Sequence, residues 1–465
     1  MTLGEQTAIS SVTGAPGRRQ LSRLQLVGVI FFVVSGGAYG LESLVGALNP
    51  GWAILLLIAT PLLWALPVAL MVAELASALP EEGGYYIWVR RAMGDFWGFQ
   101  EGWWTICYTA VDMAIYPVLF VDYLGYFAPS FALANHAGWR VLAARWLIAL
   151  AVIAIACALN WRGVRPVGDS AVLTLLFVLA PFAALAAAGL HHHGAMGAAL
   201  SAVQIGLHKP PSGALLAVGM STALWNYCGW DNVSTFAEEV RQAPRNYPPA
   251  LATAMAVIML AYVAPVLAGI ARSPGPALWN ESAGWPALAR AVGGPTLGLL
   301  VAAMALVSAW SMFNNQLLYA SRLPYAMARD GWLPRILTRL SPRTGMPGVA
   351  LVAVCLVSTI FAVFSFTQLV VIDILMYSVG LLLEFLALIV LRAHQPHLKR
   401  PYRVPGGKLG LLLVTVCPMS FAAVVLVSSI TGGRSDYWQL GLAAFFVLAG
   451  MAVYWTRRGQ TKRIV

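Results

Sequence analysis

Carboxylates recur inside stretches of this chain that are otherwise apolar: Glu42, Glu74, Asp112, Asp122, Asp231, Asp373 and Glu384. An ionised group at the centre of a bilayer costs roughly 3 kcal/mol or more, so each is by default a group that binds a cation or carries a proton. Glu42 and Asp231 share a further setting. Each follows a point where an apolar segment runs into small residues, FFVVSGGAYGLESLVG from Phe31 to Gly46 and STALWNYCGWDNVSTFAEEV from Ser221 to Val240. Unsatisfied backbone at membrane depth costs several kcal/mol per group, so such breaks survive only where protein or a polar cavity covers them. An unwound helix offers N–H groups at the start of its second half, which attract anions. It offers C=O groups at the end of its first half, which attract cations. A zwitterion fits this arrangement, its carboxylate on amides near Ser35, Gly36 and Gly37 and its ammonium on carbonyls near Val33, Trp225 and Cys228. The plainer reading of Gly36 and Gly37 is close helix packing.

Glu42 and Asp112 are the preferred counter-charges for an amine near the midplane. Asp231 either takes part in gating or coupling, or caps the half-helix that resumes after the second break. Asp122, Glu74 and Asp373 stand near the ends of their apolar stretches, where structural or solvated roles compete with binding. Glu238 and Glu239 form either a gate ion pair with Arg241 or a solvated helix end.

The elements that must position these groups are membrane helices. The 465 residues are 60% hydrophobic and only 10% charged, against roughly 25% charged in soluble domains. Twelve windows are apolar enough to span, near 24–47, 51–78, 97–128, 141–160, 167–190, 212–240, 248–271, 293–322, 347–366, 368–392, 409–430 and 437–457, each needing about 20 residues. The expected fold is therefore an all-α integral membrane protein of about twelve helices. The length of the third window implies strong tilt. With the N-terminus inside, 23 Lys and Arg fall in internal loops and tails and 6 outside. That bias sets a cytoplasmic location for both termini and accounts for the net charge of +11 without nucleic acid. No cleavable signal peptide is expected, because residues 1–20 are polar.

The two broken segments open two sets of five spans, and because five is odd the second set enters the membrane inverted. Such paired breaks in an inverted repeat point to a transporter with its site at the breaks, working by alternating access. The organisation expected is a tail (1–23), repeat one (24–190), repeat two (212–392), two added helices (409–457) and a tail (458–465).

Several stretches together resemble the amino acid–polyamine–organocation (APC) superfamily. They are SGGAYGLE, AELASALPEEGGYYIWVRRAMGDFWGFQEGW, WDNVSTFAEEVRQAPRNYPPAL, YAMARDGWLP and RPYRVPGG, in order over about residues 24–410. SGGAYGLE and DMAIYPVLFVDYL (Asp112 to Leu124) resemble the plant-type polyamine uptake branch. The resemblance implies the same substrate positions at the breaks, although the family often reads Gly-Ser-Gly where this chain has Ser35-Gly36-Gly37. It also implies that Trp225 is an aromatic gate, against the alternative of an ordinary packing Trp; Tyr39 and Tyr227 are weaker candidates to line the cavity. Proton-coupled relatives commonly carry a lysine in span five. Here Val172 to Phe182 contains none, and Phe177 stands at the nearest register. A proton would then fall to Glu42 or Asp112; otherwise the protein exchanges or equilibrates substrate.

The reading is a proton-coupled secondary transporter of amino acids in the plasma membrane. The alternatives are a polyamine or organic-amine permease and an exchanger without ion coupling. An enzyme is disfavoured, since the histidines (136, 191, 192, 193, 208, 394 and 397) lie in or beside loops. His191 to His193 with His208 read as a solvated loop rather than a metal tract. No cofactor or metal is expected. The five cysteines lie in or beside apolar stretches, which suggests neither a disulfide framework nor a covalently held partner subunit.

Overall fold

The structure is a computed structural model that describes residues 22–81, 83–131, 138–161, 167–234, 240, 243–272, 279, 284–341, 345–431 and 437–461. Its first helix, α1 (Arg23–Val34), starts at a capping box in which the Ser22 hydroxyl accepts from the Gln25 amide and the Gln25 side chain accepts from the Ser22 amide. Every residue from Leu26 to Val34 is buried, as expected of a helix apolar on all sides and placed in the interior of a bundle. The helix stops at Ser35 and resumes as α2 (Glu42–Leu48). Between them Gly37 has φ +103° and Gly40 φ +88°, conformations that favour glycine. Asn49 then turns the chain and its side chain accepts from the amides of Gly51 and Trp52, starting α3 (Pro50–Ala78).

Between the next spans, the Gly- and Pro-rich segment forms only a short helix, α4 (Tyr85–Met93). It leads into the 30-residue α5 (Asp95–Leu124). α6 (Trp139–Trp161) and α7 (Val167–Leu190) complete the first set. The connection after α7 is not the plain loop expected, because it contains the apolar helix α8 (Ala195–Leu207). That helix packs against α3 and against α10 (Ala243–Arg272). His191, His192 and His193 are exposed ahead of it.

The second break follows α9 (Gly213–Trp225). From Asn226 to Ser234 the chain is a series of turns with Gly229 at φ +89°. Glu238, Glu239 and Arg241 lie outside the described residues. After α10 come α11 (Gly284–Ala320), kinked at Gly294, and the short α12 (Arg322–Arg329). α13 (Gly348–Phe361), α14 (Phe366–His394), α15 (Gly407–Thr431) and α16 (Tyr437–Thr461) follow.

Among the described residues nine helices are long and apolar enough to cross a membrane. The remaining windows fall on the broken α1–α2 and α9 and on α13, whose 14 residues rise only about 21 Å. The packing partners repeat in the way an inverted pair demands. α1 packs on α7 as α9 packs on α14, and α5 packs on α14 as α11 packs on α7. α15 and α16 lie outside this core, and large apolar side chains such as Leu412, Leu413, Phe445 and Leu448 are exposed on them, suited to lipid.

Candidate functional site

The two breaks touch: a Cβ built on Gly229 would lie 3.0 Å from the Val33 carbonyl oxygen. Beside this contact lies a small cavity of about 10 Å³ lined by Val33, Asp112, Trp225, Cys228 and Asp373, among others. That volume holds about one water, so anything larger enters only when the bundle opens. Asp112 and Tyr116 share one face of α5, and Asp373 and Tyr377 share one face of α14, each pair four residues apart.

A run of polar side chains crosses the site. The Trp225 indole donates to Asp112 at 3.0 Å, and the Tyr116 hydroxyl donates to the same carboxylate at 2.9 Å. Gln316 donates to the Tyr116 oxygen, Tyr319 donates to Gln316 at 3.0 Å, and Asn232 of the second break donates to Tyr319 at 3.2 Å. On the opposite wall Tyr377 donates to Asp231 at 2.5 Å. Asp373 is 1% exposed and its Oδ1 has no hydrogen-bond partner, as is also true of Asp231 Oδ2. No Lys or Arg among the described residues forms an ion pair with Asp112, Asp231 or Asp373.

Glu42 is placed differently from Asp112, and the preferred pairing of the two does not form one wall of the cavity. Its carboxylate accepts from the Tyr123 hydroxyl, the Gly40 amide at 2.8 Å and the Trp285 amide at 3.3 Å. The chain's own anion thus takes the positive end of α2. The neighbouring amides are also engaged. Ser35 and Gly36 donate to the Phe31 carbonyl at 2.7 and 3.2 Å, and Gly37 donates to the Ser35 hydroxyl at 3.1 Å. Tyr39 donates to Val301 O and Tyr227 to Leu57 O, so both phenols are tied to neighbouring helices and neither lines the cavity.

Trp225 packs edge-on against Phe366 at 5.3 Å and over Tyr116 at 6.1 Å. A Cβ on Gly40 would lie 2.7 Å from the Phe366 ring and 3.4 Å from that of Trp225. This small residue therefore allows the two rings to close over the cavity on the α2 side. The half-helix that Asp231 would cap lies outside the described residues.

The remaining intramembrane acids divide cleanly. Asp122 pairs with Arg145. Glu74 is fully buried, paired with Arg392 and Arg400, and accepts from the Val404 amide at 2.7 Å. Both carboxylates are thus engaged by basic partners. Asp373 belongs with Asp112, because both line the cavity and Asp373, about two turns into α14 from its Ser365 cap, is already buried. The register of span five is also corrected by one residue. Phe177 is 56% exposed, whereas Val178 is buried, and a Cβ on Gly37 would meet it at 3.0 Å.

Beyond the bundle, Tyr86 and Arg90 of α4 donate to Asp330 at 2.8 and 2.7 Å, tying α4 to the turn after α12. Burial and the Asp330 carboxylate push the Tyr86 phenol well above its ordinary pKa, so it remains a donor.

Sequence reasoning did not single out Tyr116, Gln316 or Tyr377. The available signal was an acid followed four residues later by a tyrosine, present on both α5 and α14.

The sequence profile of the amino acid permease family matches residues 24–453. The chain belongs to that family, within the APC superfamily. This permease is 35% identical to the polyamine transporter PUT1 of Oryza sativa subsp. japonica over 88% of its own length and 74% of that protein. It is 32% identical to the polyamine transporter RMV1 of Arabidopsis thaliana over 88% and 80% of the respective chains. Among solved structures it is similar to MhsT in complex with L-phenylalanine, with a TM-score of 0.62 and 15% identity, covering 89% of this chain and 100% of that one. The permease is accordingly a multi-pass membrane transporter with a broken-helix, inverted-repeat fold, and not an enzyme.

Proposed function

We propose that this permease carries linear polyamines or related organic amines across the plasma membrane by alternating access, with both termini cytoplasmic. The observation that carries the reading is the charge at the junction of the breaks. Three buried carboxylates, Asp112, Asp231 and Asp373, face the site region without a basic partner among the described residues. Burying such charge is unfavourable unless a cation joins it, and an alkylammonium group supplies one. Similarity to the rice and Arabidopsis polyamine transporters supports the same substrate class.

An amino acid, the first reading of the sequence, also needs an anion site. The amides expected to provide it already have acceptors, and Glu42 occupies the start of α2. Val178, the α7 side chain facing Gly37, carries no charge, which leaves a carboxylate such as Asp112 or Asp373 as the proton carrier if transport is proton-coupled.

The test is a thermal-shift titration of purified protein with putrescine, spermidine and the neutral and basic amino acids. A ligand at a hundredfold its Kd stabilises the folded state by about 2.7 kcal/mol. Stabilisation by the amines supports the reading. Stabilisation by amino acids alone overturns it.

A further inference from the structure

The seam between α5 and α14 continues beyond the cavity. Glu101, Thr105, Tyr108 and Asp112 follow one face of α5, and Asp373, Tyr377, Gly380 and Glu384 follow one face of α14. The two sets read in opposite directions along the bundle. Asp112 and Asp373 both line the cavity, while Glu101 and Glu384 lie within electrostatic reach of each other and of Asp231. Eleven residues of helix separate the two levels, about 16 Å. Asp231, held by Tyr377, sits between them.

These acids are unlike the paired ones. Glu101 and Glu384 are each 1% exposed and Asp231 is 0% exposed. Glu101 Oε1 accepts only a 3.3 Å bond from Thr105, and Glu101 Oε2, Glu384 Oε2 and Asp231 Oδ2 have no partner. Arg392, two turns beyond Glu384, is committed to Glu74. A Cβ on Gly380 would lie 3.3 Å from Glu101 Oε1, so glycine leaves that carboxylate facing bare backbone. The buried tyrosines Tyr85 and Tyr108 stand beside the same acids, and aromatic walls of this kind hold ammonium groups well.

Resting on the amine reading above, we propose that Glu101, Glu384 and Asp231 form a second ammonium site between the central cavity and the α4 face, so that the permease reads a linear polycation at two levels. Bond lengths near 1.5 Å put nitrogens four methylenes apart at about 6 Å, and tri- and tetra-amines extend over about 11–16 Å. A tetra-amine, at about 16 Å, reaches from Asp112 and Asp373 to Glu101 and Glu384; a triamine and a diamine are too short to do so.

The experiment is equilibrium binding of radiolabelled putrescine, spermidine and spermine to purified wild-type protein and to Glu384→Gln, Glu101→Gln and the double variant, with melting temperatures as a folding check. Loss of one charged contact predicts about a tenfold or greater fall in spermine affinity, with putrescine and spermidine nearly unchanged. Either single variant suffices if the other does not fold. An equal fall for all three amines, as a proton relay or general electrostatic role would give, overturns the second site, and so does no fall for any. Wild-type protein that binds no amine overturns the amine reading and the second site together.

Discussion

Asp112→Asn removes one negative charge from the cavity while keeping the size and shape of the side chain. In the wild-type protein this carboxylate is oriented by two donors, the Trp225 indole and the Tyr116 hydroxyl. Among the described residues it has no basic partner of its own. The amide oxygen of Asn can retain one donor, but its NH₂ faces the other. An ammonium ligand therefore loses a charge-assisted contact and meets a less ordered wall. Truncating one side of a buried charged pair costs about 2–4 kcal/mol, a rise in Kd of roughly 30- to 700-fold. The free protein should lose little stability, because the one hydrogen bond given up is offset by removal of a buried charge.

The assay is radiolabelled putrescine binding and uptake in proteoliposomes, together with the melting temperature of the unliganded protein. Asp122→Asn is the control. It breaks a buried pair with Arg145 and should lower the melting temperature while leaving the affinity of the folded fraction intact. An Asp112→Asn protein that binds amine within about threefold of wild type refutes the assignment of Asp112 as counter-charge.

Glu42→Gln should impair stability and transport of every substrate alike, since Glu42 holds backbone and Tyr123 rather than ligand; a charge-selective loss measured across amines and amino acids contradicts that. Gly40→Ala should prop open the closure formed by Phe366 and Trp225, because its Cβ would collide with the Phe366 ring. The readout is faster modification of Cys228 by a thiol reagent, in a background lacking the other cysteines, and an unchanged rate argues against the gate. Arg392→Met leaves the Glu74 carboxylate underpaired and should cost about 3–5 kcal/mol. Glu74→Met with Arg392→Met should restore most of that in thermal unfolding, and a double variant no better than the single one counts against the pair.

The breaks were legible because glycines and an apolar flank are sequence properties, and the segment around Ser35–Gly40 carries both, with its glycines at positive φ. Asp112 and Trp225 were legible for a related reason, one as a charge inside a span and the other as the last residue before a break. Asp373 was not, because distance from a span end is a poor measure of depth when the helix is already buried two turns from its cap. Phe177 and Val178 differ by one residue, which is about 100° of helix rotation, more than a window boundary can resolve. The role of Glu42 depended on which donors reach it from α5 and α11, Tyr123 and Trp285, and no local pattern encodes such contacts. The helix α8 was missed because a short apolar run between spans reads as loop unless its packing on α3 and α10 is known.

The acids sort by partner, and the sorting bears on mechanism. Glu42, Glu74 and Asp122 are saturated by hydrogen bonds or arginine. Among the described residues the under-satisfied ones, Asp373, Asp231, Glu101 and Glu384, all lie along the α5–α14 seam or at the second break. A structural explanation would leave unpaired acids scattered, since each removal of a partner is an independent cost. Concentration in one seam means the unfavourable desolvation is confined to where a mobile cation can relieve it. On the proposed reading, closing the bundle around an empty seam forces like charges together in a water-poor interior, whereas closing it around a polyamine neutralises them. The occluded state is then reached readily with cation present and reluctantly without it. The rate of occlusion should therefore rise with bound positive charge, faster for spermidine than for putrescine, and a rate independent of the charge carried would remove the seam from the transport cycle.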